Sequence, residues 1–309
     1  MDEIHTRIAP TPSGFLHLGN AFSFLYTYLI HLTSPNSSLL LRIDDADAAR
    51  CRDEYLEDIF HSLEWLGIAY TRGPSGVEDF KKNYSQQLRY DWYETDLLKL
   101  STESKFVYAC ECSRKQIRSL SSNGIYPGTC RDKQLQLSDT NHAWRIKAKE
   151  YTIEFNDLLK GKICWSLERM GDFIIRRKDG LPAYQVTSLV DDLHYGINFI
   201  VRGDDLMDST AAQIWLATIL NADSFLESTF CHHPLVLEAR GQKMSKSHQS
   251  LSLQTLQEKW HHPTKIYQLF AQLTGMNPAI DNLIDLAAQF DSQIHYFQKD
   301  VYLRDLLSD

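Results

Sequence analysis

The chain has 309 residues, of which 43% are hydrophobic and 23% charged, and its formal net charge at pH 7 is −8. That length predicts roughly two to three domain-sized units with a substantial core. The negative total excludes a uniformly basic coat for nucleic acid, although a local basic patch remains compatible with it.

The N-terminal part of the sequence indicates a strand, a helix, a strand and a second helix. Residues 4–9 form a short apolar stretch, and a Pro/Gly-rich loop separates it from apolar residues at helical spacing over 22–30. A continuous apolar run at 39–43 has the character of a buried parallel strand. A further helix is expected over 53–66, with Gly67 as its C-terminal cap. This order predicts an α/β fold with a nucleotide-type parallel sheet.

The middle and end of the chain have a different pattern. A helix is expected over 84–100, and short strands, turns and three cysteines over 106–172 indicate an inserted small domain. Apolar strands return at 173–175, 199–201 and 235–237, which extends the α/β pattern. Residues 251–309 have helical spacing and no strand signal.

Several whole classes of protein are excluded by the rest of the sequence. No apolar run is long enough for a transmembrane helix, and the start, Met1-Asp2-Glu3, lacks the apolar core of a secretory signal. Six cysteines are too few for a disulfide scaffold in a chain of this size. A reduced, cytoplasmic setting without a membrane partner is therefore expected.

Two distant segments have the residues that bind phosphate. In the loop 7–20, Gly14 and Gly19 allow close approach of a ligand, His17 can donate a hydrogen bond, and the following helix presents its amino end to an anion. The segment 241–247 places two lysines and two hydroxyls after a predicted strand, which suits a leaving polyphosphate. Taken singly, the histidine is an ordinary polar surface group and the lysine-rich segment a solvated turn.

Together these segments resemble the HIGH and KMSKS signatures of the class I aminoacyl-tRNA synthetases. His17-Leu18-Gly19-Asn20 matches the first, with asparagine in place of the final histidine, and Lys243-Met244-Ser245-Lys246-Ser247 is the second in full. The resemblance implies that ATP is a substrate and that Mg²⁺ accompanies it. The implied catalytic residues are His17, Lys243 and Lys246, and the implied ATP-binding residues are His17, Gly19, Asn20, Lys243, Met244, Ser245 and Lys246.

The first loop is similar to that of the glutamyl/glutaminyl branch, and Arg42-Ile43-Asp44-Asp45 resembles a second motif of that branch. An acidic zwitterion needs a carboxylate for its ammonium, which Asp44 can supply, and a planar cation for its side chain, which Arg7 or Arg202 can supply. The family usually has glutamate in place of Asp44, so a bridging water or a shifted loop is needed to compensate. The implied glutamate-binding residues are Arg7, Ile8, Ala9, Pro10, Thr11, Asp44, Tyr184 and Arg202.

A metal site is predicted in the insertion. Cys110 and Cys112 are followed by Tyr126 and Cys130, and three thiolates with one further donor fit tetrahedral zinc. The fourth donor stays open between Tyr126, His142 and water, and the alternative is three unrelated reduced cysteines. The pattern resembles the structural zinc site of one subfamily, the glutamyl-queuosine tRNA(Asp) synthetases.

The resemblance covers nearly the whole chain and implies its organisation. We expect a Rossmann-like catalytic domain at 1–104 and 173–250, a zinc-binding, acceptor-type insertion at 105–172 and a helical C-terminal segment at 251–309. Because 309 − 247 = 62 residues follow the second signature, no anticodon-binding domain is expected.

The implied reaction is tRNA-independent activation of L-glutamate with ATP and its transfer to queuosine in the anticodon loop of tRNA(Asp), by a monomer. Two alternatives remain, a truncated glutamyl-tRNA synthetase that charges tRNA(Glu) and a non-catalytic RNA-binding relative, whereas the two signatures argue against a small nucleotidyltransferase. Arg114-Lys115 and Arg176-Arg177-Lys178 are either RNA contacts or solvated surface.

Overall fold

The computed structural model describes residues 3–103, 105–138, 141–239, 242–243, 252–291 and 301–302. Its strands are β1 His5–Ile8, β2 Ser38–Leu41, β3 Val107–Cys110, β4 Ala143–Ile146, β5 Thr152–Asp157, β6 Gly161–Ser166, β7 Ile174–Arg176, β8 Phe199–Gly203, β9 Thr229–His233, β10 Val236–Ala239, β11 Gln242–Lys243 and β12 Val301–Tyr302. Its helices are α1 Leu18–Thr33, α2 Asp53–Trp65, α3 Val77–Asp79, α4 Tyr90–Glu103, α5 Arg114–Leu120, α6 Tyr184–His194, α7 Met207–Leu220, α8 Asp223–Leu226, α9 Leu253–Trp260, α10 Thr264–Thr274 and α11 Leu283–Gln289.

The chain folds as two compact units, 1–88 with 197–205 and 229–309, and 89–196 with 206–228. The predicted insertion 105–172 falls within the second unit, and the predicted division into domains stays a prediction. Within the described ranges, no helix has both the length and the apolar character that crossing a membrane requires.

A parallel sheet forms the centre of the first unit. β1 pairs with β2 and β8 pairs with β9, both in parallel register. β1 also lies beside β8, and the carbonyl of His5 accepts the N–H of Asn198 at 3.0 Å just before β8 begins. Parallel strands linked through helices make a Rossmann-like core, as the sequence predicts. The carboxyl ends of these strands share one edge, which is where such sheets bind ligands.

Helix α1 covers this sheet because its apolar residues recur at helical spacing. Phe22, Leu25, Tyr26 and Leu29 are all buried, and the ring of Phe22 meets that of Phe270 on α10 edge to face, with centroids 6.0 Å apart. Burying each side chain of this size contributes about 1.5–3 kcal/mol relative to leaving it exposed. The apolar face of α1 therefore anchors the loop that precedes it.

The second unit is built from antiparallel strands and helices. β4 lies between β3 and β7, and β5 and β6 form a hairpin. Its core contains the stacked rings of Tyr151 and Trp215, whose centroids are 4.1 Å apart. The strand expected at 173–175 is present as β7, but it pairs antiparallel with β4, and parallel pairing resumes at β8.

Two further predictions are corrected. The helix expected from Tyr84 begins at Tyr90, because 80–84 forms a π-helical turn and 86–89 a 3-10 turn. The C-terminal segment contains a strand after all, since β12 pairs parallel with β10. A strand of two residues is too short to leave an alternating pattern in the sequence.

The cap predicted at Gly67 is confirmed by its φ of +62°.

Candidate active site

His17 occupies the point where the loop after β1 enters α1. It is the N-cap residue, and its Nδ1 accepts the N–H of Asn20 at 3.4 Å while Oδ1 of Asn20 accepts the N–H of His17 at 3.0 Å. This capping box pairs two amides that the first turn of a helix leaves without a backbone partner. Because Nδ1 accepts, a neutral imidazole in this position has its proton on Nε2, so Nε2–H is the ring atom that can donate to an anion, and the amino end of a helix stabilises anions.

The same geometry explains why asparagine is tolerated at the fourth position of the signature. The side chain of Asn20 closes the cap and orients His17, so it acts on the loop itself. Gly19 leaves room for the histidine ring, because an added Cβ there would lie 3.1 Å from both Nδ1 and Cε1 of His17, which is closer than an ordinary contact. That this glycine also allows close approach of a ligand stays a prediction.

Helix α2 holds the loop from the other side. Oδ2 of the buried Asp58 accepts the N–H of Leu16 at 2.7 Å, and the rings of Phe15 and Tyr55 meet edge to face at 5.1 Å. Burial raises the pKa of Asp58, and the bond from Leu16 offsets part of that rise. Sequence reasoning missed Asp58, whose signal is an acid at a buried helical position beside Ile59.

The second signature lies partly outside the described residues. β10 and β11 pair antiparallel and set Lys243 opposite Leu237, which fixes the main chain of Lys243. The remaining signature residues, for which ATP binding is predicted, fall outside the described residues; they are Met244, Ser245, Lys246 and Ser247.

The chain on both sides of the second signature lies beside the first. A Cβ added at Gly19 would be 3.8 Å from Cβ of Val236, so β10 passes close to the start of α1. On the far side, Ser252 forms an antiparallel bridge with His17, and the N–H of Leu253 donates to the carbonyl of Leu16 at 2.7 Å. The described residues on either side of the second signature therefore lie beside the first signature at the amino end of α1.

Arg7 and Arg202 lie on the neighbouring parallel strands β1 and β8, each one residue before its strand ends. Both are buried, and Nη1 of Arg7 donates to the carbonyl of Val201 at 3.2 Å. Guanidinium groups recognise carboxylates through two parallel hydrogen bonds. The first unit thus has two such cations close to the ligand-binding edge of its sheet.

Asp44 follows β2 at the same edge. Its N–H donates to the carbonyl of Pro10 at 2.9 Å, which ties it to the loop of the first signature. Its Oδ1 accepts from Nε of Arg42 at 2.7 Å and its Oδ2 from Nη2 at 3.0 Å, with both residues buried. Carboxylate oxygens offer about four acceptor sites, so one group can serve both a guanidinium and a ligand ammonium.

The other residues predicted to bind the amino acid are distributed over both units. Ile8 ends β1, Ala9 and Pro10 continue the chain, and the carbonyl of Thr11 accepts the N–H of Ser13 at 2.8 Å in a tight turn. Tyr184 belongs to the second unit, where it begins α6 and is 40% exposed.

Helix α6 is fixed within the second unit by one buried carboxylate. Asp191 accepts from Nε and Nη2 of Arg89 at 3.0 and 2.9 Å and from the hydroxyl of Tyr93 at 2.8 Å. A buried charge of this kind is stable only when it is paired and hydrogen bonded. Two aspartates follow Val190, and the first of them, Asp191, therefore joins α6 to α4.

Three cysteines form a candidate metal centre in the second unit. The Sγ atoms of Cys110, Cys112 and Cys130 all lie within 4.8 Å of one another, and those of Cys112 and Cys130 are 3.5 Å apart. Thiolates on one tetrahedral zinc, at about 2.3 Å each, would be about 3.8 Å apart. The cluster can hold a metal ion, and the alternative of three unrelated cysteines is wrong. β3 ends at Cys110, so Cys112 lies in the turn before α5. This turn brings Cys112 into the cluster; the alternation of side chains along a strand does not.

The phenolic oxygen of Tyr126 lies next to this cluster. It is 3.5 Å from Sγ of Cys110 and accepts the N–H of Cys130 at 2.7 Å, while the guanidinium of Arg145 lies 3.8 Å from the ring centre. Burial raises the pKa of Tyr126 and raises that of Cys112 to about 11, so both groups need a bound cation to ionise at neutral pH. Among the residues described, His142 is not part of the clustered group of ligand atoms.

Comparison with known proteins defines the class. A family model described as tRNA synthetases class I (E and Q), catalytic domain, matches residues 3–299. The chain belongs to this family and is a ligase of the aminoacyl-tRNA synthetase type, a class that uses ATP.

Individual relatives show which members of the family the chain resembles. The chain is 35% identical over 289 residues to a glutamyl-Q tRNA(Asp) synthetase of Nitratidesulfovibrio vulgaris, covering 89% of this chain and 87% of that protein. It is 34% identical over 284 residues to the protein of the same name from Symbiobacterium thermophilum, covering 87% and 86%. A glutamate–tRNA ligase of Aquifex aeolicus is 34% identical over 292 residues, but the chain spans only 58% of its length.

A solved structure supports the fold. The glutamate-tRNA synthetase of Elizabethkingia anophelis superposes with a TM-score of 0.77 at 20% identity, covering 99% of this chain and 69% of that one. The Rossmann-like α/β fold predicted from the sequence is thereby confirmed.

Proposed function

We propose that this chain activates L-glutamate with ATP to glutamyl-adenylate without tRNA, and then transfers the glutamate to the queuosine base in the anticodon loop of tRNA(Asp). The observation that carries the activation step is the contact of the chain that flanks the second signature with the first signature at His17. The choice of acceptor is supported by the two relatives named glutamyl-Q tRNA(Asp) synthetase, of which the chain spans 87% and 86%.

In the proposed reaction the α-carboxylate of glutamate attacks the α-phosphorus of ATP in line, and pyrophosphate leaves. His17 donates its Nε2–H to a phosphate oxygen at the amino end of α1, while Lys243 and Lys246 stabilise the charge on the departing pyrophosphate. Catalysis rests on positioning and charge stabilisation, without a covalent enzyme intermediate. Gly19, Asn20, Met244 and Ser245 complete the proposed ATP-binding set.

The proposed amino-acid site uses the charges at the edge of the parallel sheet. Arg7 or Arg202 binds the side-chain carboxylate, Asp44 binds the ammonium and Tyr184 adds one hydrogen bond. The position of both arginines near the ends of adjacent strands supports this assignment, as does the bond between Asp44 and the first loop. The backbone of residues 8–11 supplies the remaining polar groups.

Zinc is the proposed structural metal, held by Cys110, Cys112 and Cys130 with Tyr126 as fourth ligand. Sulfur-rich tetrahedral sites favour zinc, and a bound metal stabilises a small domain that has little core of its own. Mg²⁺ is expected with ATP, because it is held largely by phosphate and water and needs no dedicated cage of protein ligands. Six free thiols among the described residues suit the reduced cytoplasm, which is the proposed location.

Helix α5 is the favoured RNA contact within the second unit. Arg114, Lys115 and Arg118 are exposed on a helix that has no acidic residue, so their charge is available to phosphates. The alternative run is already engaged: Arg177 pairs with Asp179 at 2.6 Å, and Lys178 donates to the carbonyl of Glu111.

The activation step is tested by pyrophosphate exchange into ATP, with each standard amino acid in turn and without tRNA. Exchange with glutamate is expected, and exchange with no amino acid would favour the non-catalytic RNA-binding alternative. Exchange restricted to another amino acid would reject the proposed substrate.

The transfer step is tested with radiolabelled glutamate and two tRNA preparations, one containing queuosine and one from a queuosine-deficient source. Periodate destroys the diol of the 3′ end and that of queuosine alike, so the deficient tRNA is the sharper control. Labelling confined to the queuosine-containing tRNA is expected. Equal labelling of both would favour a glutamyl-tRNA synthetase that charges tRNA(Glu).

A further inference from the structure

A turn forty residues downstream wraps the acidic segment that follows β2. This acidic segment is Asp44–Ala46, and the turn, Ser85–Gln87, follows the π-helical turn and includes the start of the 3-10 turn that precedes α4. Ser85 and Gln86 are buried, as are both aspartates. Neither the family signatures nor the helical periodicity of 84–100 singles out this turn.

Asp45 fastens the turn to the acidic segment. Its Oδ2 accepts the hydroxyl of Ser85 at 2.6 Å and the Nε2 of Gln87 at 3.2 Å, and its Oδ1 accepts the N–H of Gln86 at 2.7 Å. Hydrogen bonds to an ionised acceptor are about twice as strong as those between neutral groups. Both oxygens of Asp45 thus bind the turn. Of the two aspartates, Asp44 is therefore the one whose carboxylate can face a ligand.

The side chain of Gln86 can lie in only one orientation here. Its Oε1 accepts the N–H of Ala46 at 2.9 Å, and a backbone N–H can bond only to the oxygen of the amide. The NH₂ group therefore points the other way, where Nε2 lies 3.4 Å from Oδ1 of Asp44. Gln86 links the backbone of the acidic segment to the carboxylate within it.

We propose that Gln86 is a positioning residue of the amino-acid site, which holds the Asp44 carboxylate in the orientation that receives the ligand ammonium. The inference rests on the proposed function, in which Asp44 binds that ammonium. Arg42 grips both carboxylate oxygens from one side, and the amide of Gln86 meets Oδ1 as a second donor. Two donors from different segments fix the plane of the carboxylate, which a single guanidinium leaves less constrained.

The shorter side chain makes this orientation matter more. Aspartate reaches one methylene less far than the glutamate usual in the family, roughly 1.5 Å, which is half of a hydrogen-bond length. A carboxylate with little reach has few alternative rotamers that still meet the ammonium. Loss of the Gln86 donor is therefore expected to weaken amino-acid binding and leave the nucleotide side unaffected.

The test is a double-mutant cycle in glutamate-dependent pyrophosphate exchange. Gln86→Met, which keeps the length of the side chain and removes its polar atoms, is expected to raise the KM for glutamate about tenfold, with the KM for ATP within twofold of wild type. Asp44→Asn is expected to raise the KM for glutamate further. Because Gln86 acts through Asp44, the double variant should match Asp44→Asn alone, and fold-changes that multiply would overturn the inference.

Two controls keep the result interpretable. Gln86→Glu keeps an acceptor for Ala46 and loses the donor to Asp44, so a rise in the KM for glutamate is expected there even if Gln86→Met fails to fold. Asn83→Ala removes an exposed amide that bonds Asp79 at 2.7 Å in the same region, and it should leave both KM values unchanged. An unchanged KM for glutamate in the folded Gln86 variants overturns the inference, whereas wild-type protein without glutamate-dependent exchange would overturn the proposed function itself.

Discussion

The N–H of Leu253 donates a 2.7 Å hydrogen bond to the carbonyl of Leu16, across 253 − 16 = 237 positions of sequence. The N–H of the same Leu16 donates to Asp58 at 2.7 Å. Both backbone groups of the residue before His17 are therefore fixed, one by α2 and one by the chain that leaves the second signature. The position of the imidazole depends on both contacts.

Removal of the Asp58 carboxylate should loosen this loop. In Asp58→Ala the buried N–H of Leu16 loses its acceptor, which is expected to lower the free energy of unfolding by about 1–3 kcal/mol. The kcat of pyrophosphate exchange should fall as well, because His17 is the next residue. Urea denaturation and exchange kinetics measure the two effects. The Asp58→Asn variant keeps a carbonyl acceptor for this N–H and should retain most of the stability and most of the kcat. Equal losses in Asp58→Ala and Asp58→Asn would contradict the role of the Asp58 acceptor.

The titration of Asp58 gives a separate signature. Burial raises its pKa above the ordinary 3.8, so the folded protein binds that proton more tightly than the unfolded chain. The stability from this group is present below pH 3.8 and is lost as pH rises through the raised pKa. Asparagine does not titrate, so the free energy of unfolding of Asp58→Asn minus that of wild type should increase from pH 3.8 upward until the carboxyl of Asp58 is fully ionised. A free-energy difference that decreases as the pH rises would contradict this expectation.

Gly19→Ala separates stability from activity. Alanine favours a helix over glycine by about 1 kcal/mol, but the new Cβ would lie 3.1 Å from the His17 ring. We expect an unchanged or higher unfolding midpoint together with a fall of about tenfold in the kcat of exchange. Thermal unfolding and exchange assays check both quantities, and full activity would show that the ring position is not critical.

The metal centre predicts about one zinc per chain and a role for Tyr126. Tyr126→Phe keeps the ring beneath Arg145 and removes only the oxygen, so a fourth ligand would be lost and zinc affinity should fall at least tenfold. Competition with a chromophoric chelator measures the affinity. Cys130→Ser should lose more, while Cys164→Ser, an exposed cysteine outside the cluster, is the matched control. Unchanged affinity in Tyr126→Phe would leave water as the fourth donor.

The cations of α5 should bind RNA through its phosphates. Replacing Arg114, Lys115 and Arg118 together by alanine should weaken tRNA binding and reduce the salt dependence of log Kd by about 0.7–0.9 for each phosphate that the variant no longer neutralises. Pyrophosphate exchange without tRNA should not change. Arg177→Ala, whose cation is already paired with Asp179, should have a smaller effect. A larger effect at Arg177 would move the RNA surface away from α5.

Local patterns predict what depends on neighbours in sequence. The strand–helix–strand start, the N-cap loop of His17 and the cysteine cluster all follow from spacing and turn residues within short segments. Asp58 and Gln86 could not be found in this way, because their partners Leu16 and Asp44 lie about forty residues away and only the fold brings them together.

The wrong prediction for the start of α4 has the same origin, which is contacts between residues distant in sequence. Residues 84–89 satisfy helical periodicity, yet the bonds of Ser85 and Gln86 to Asp45 outweigh it and delay α4 to Tyr90. Propensity is a weak constraint that tertiary contacts override. The monomeric state and the domain boundaries stay predictions, since sequence patterns contain no direct record of them.

The strand order of the first unit has a consequence for how the protein is made. β1 obtains one neighbour, β2, soon after it leaves the ribosome, but β8 and β9 follow only after the 108 residues 89–196 have been synthesised. Contacts of such long range form slowly and late. The edge of β1 that later lies beside β8 is therefore uncovered while the second unit is translated, and an uncovered strand edge makes this the stage most exposed to aggregation.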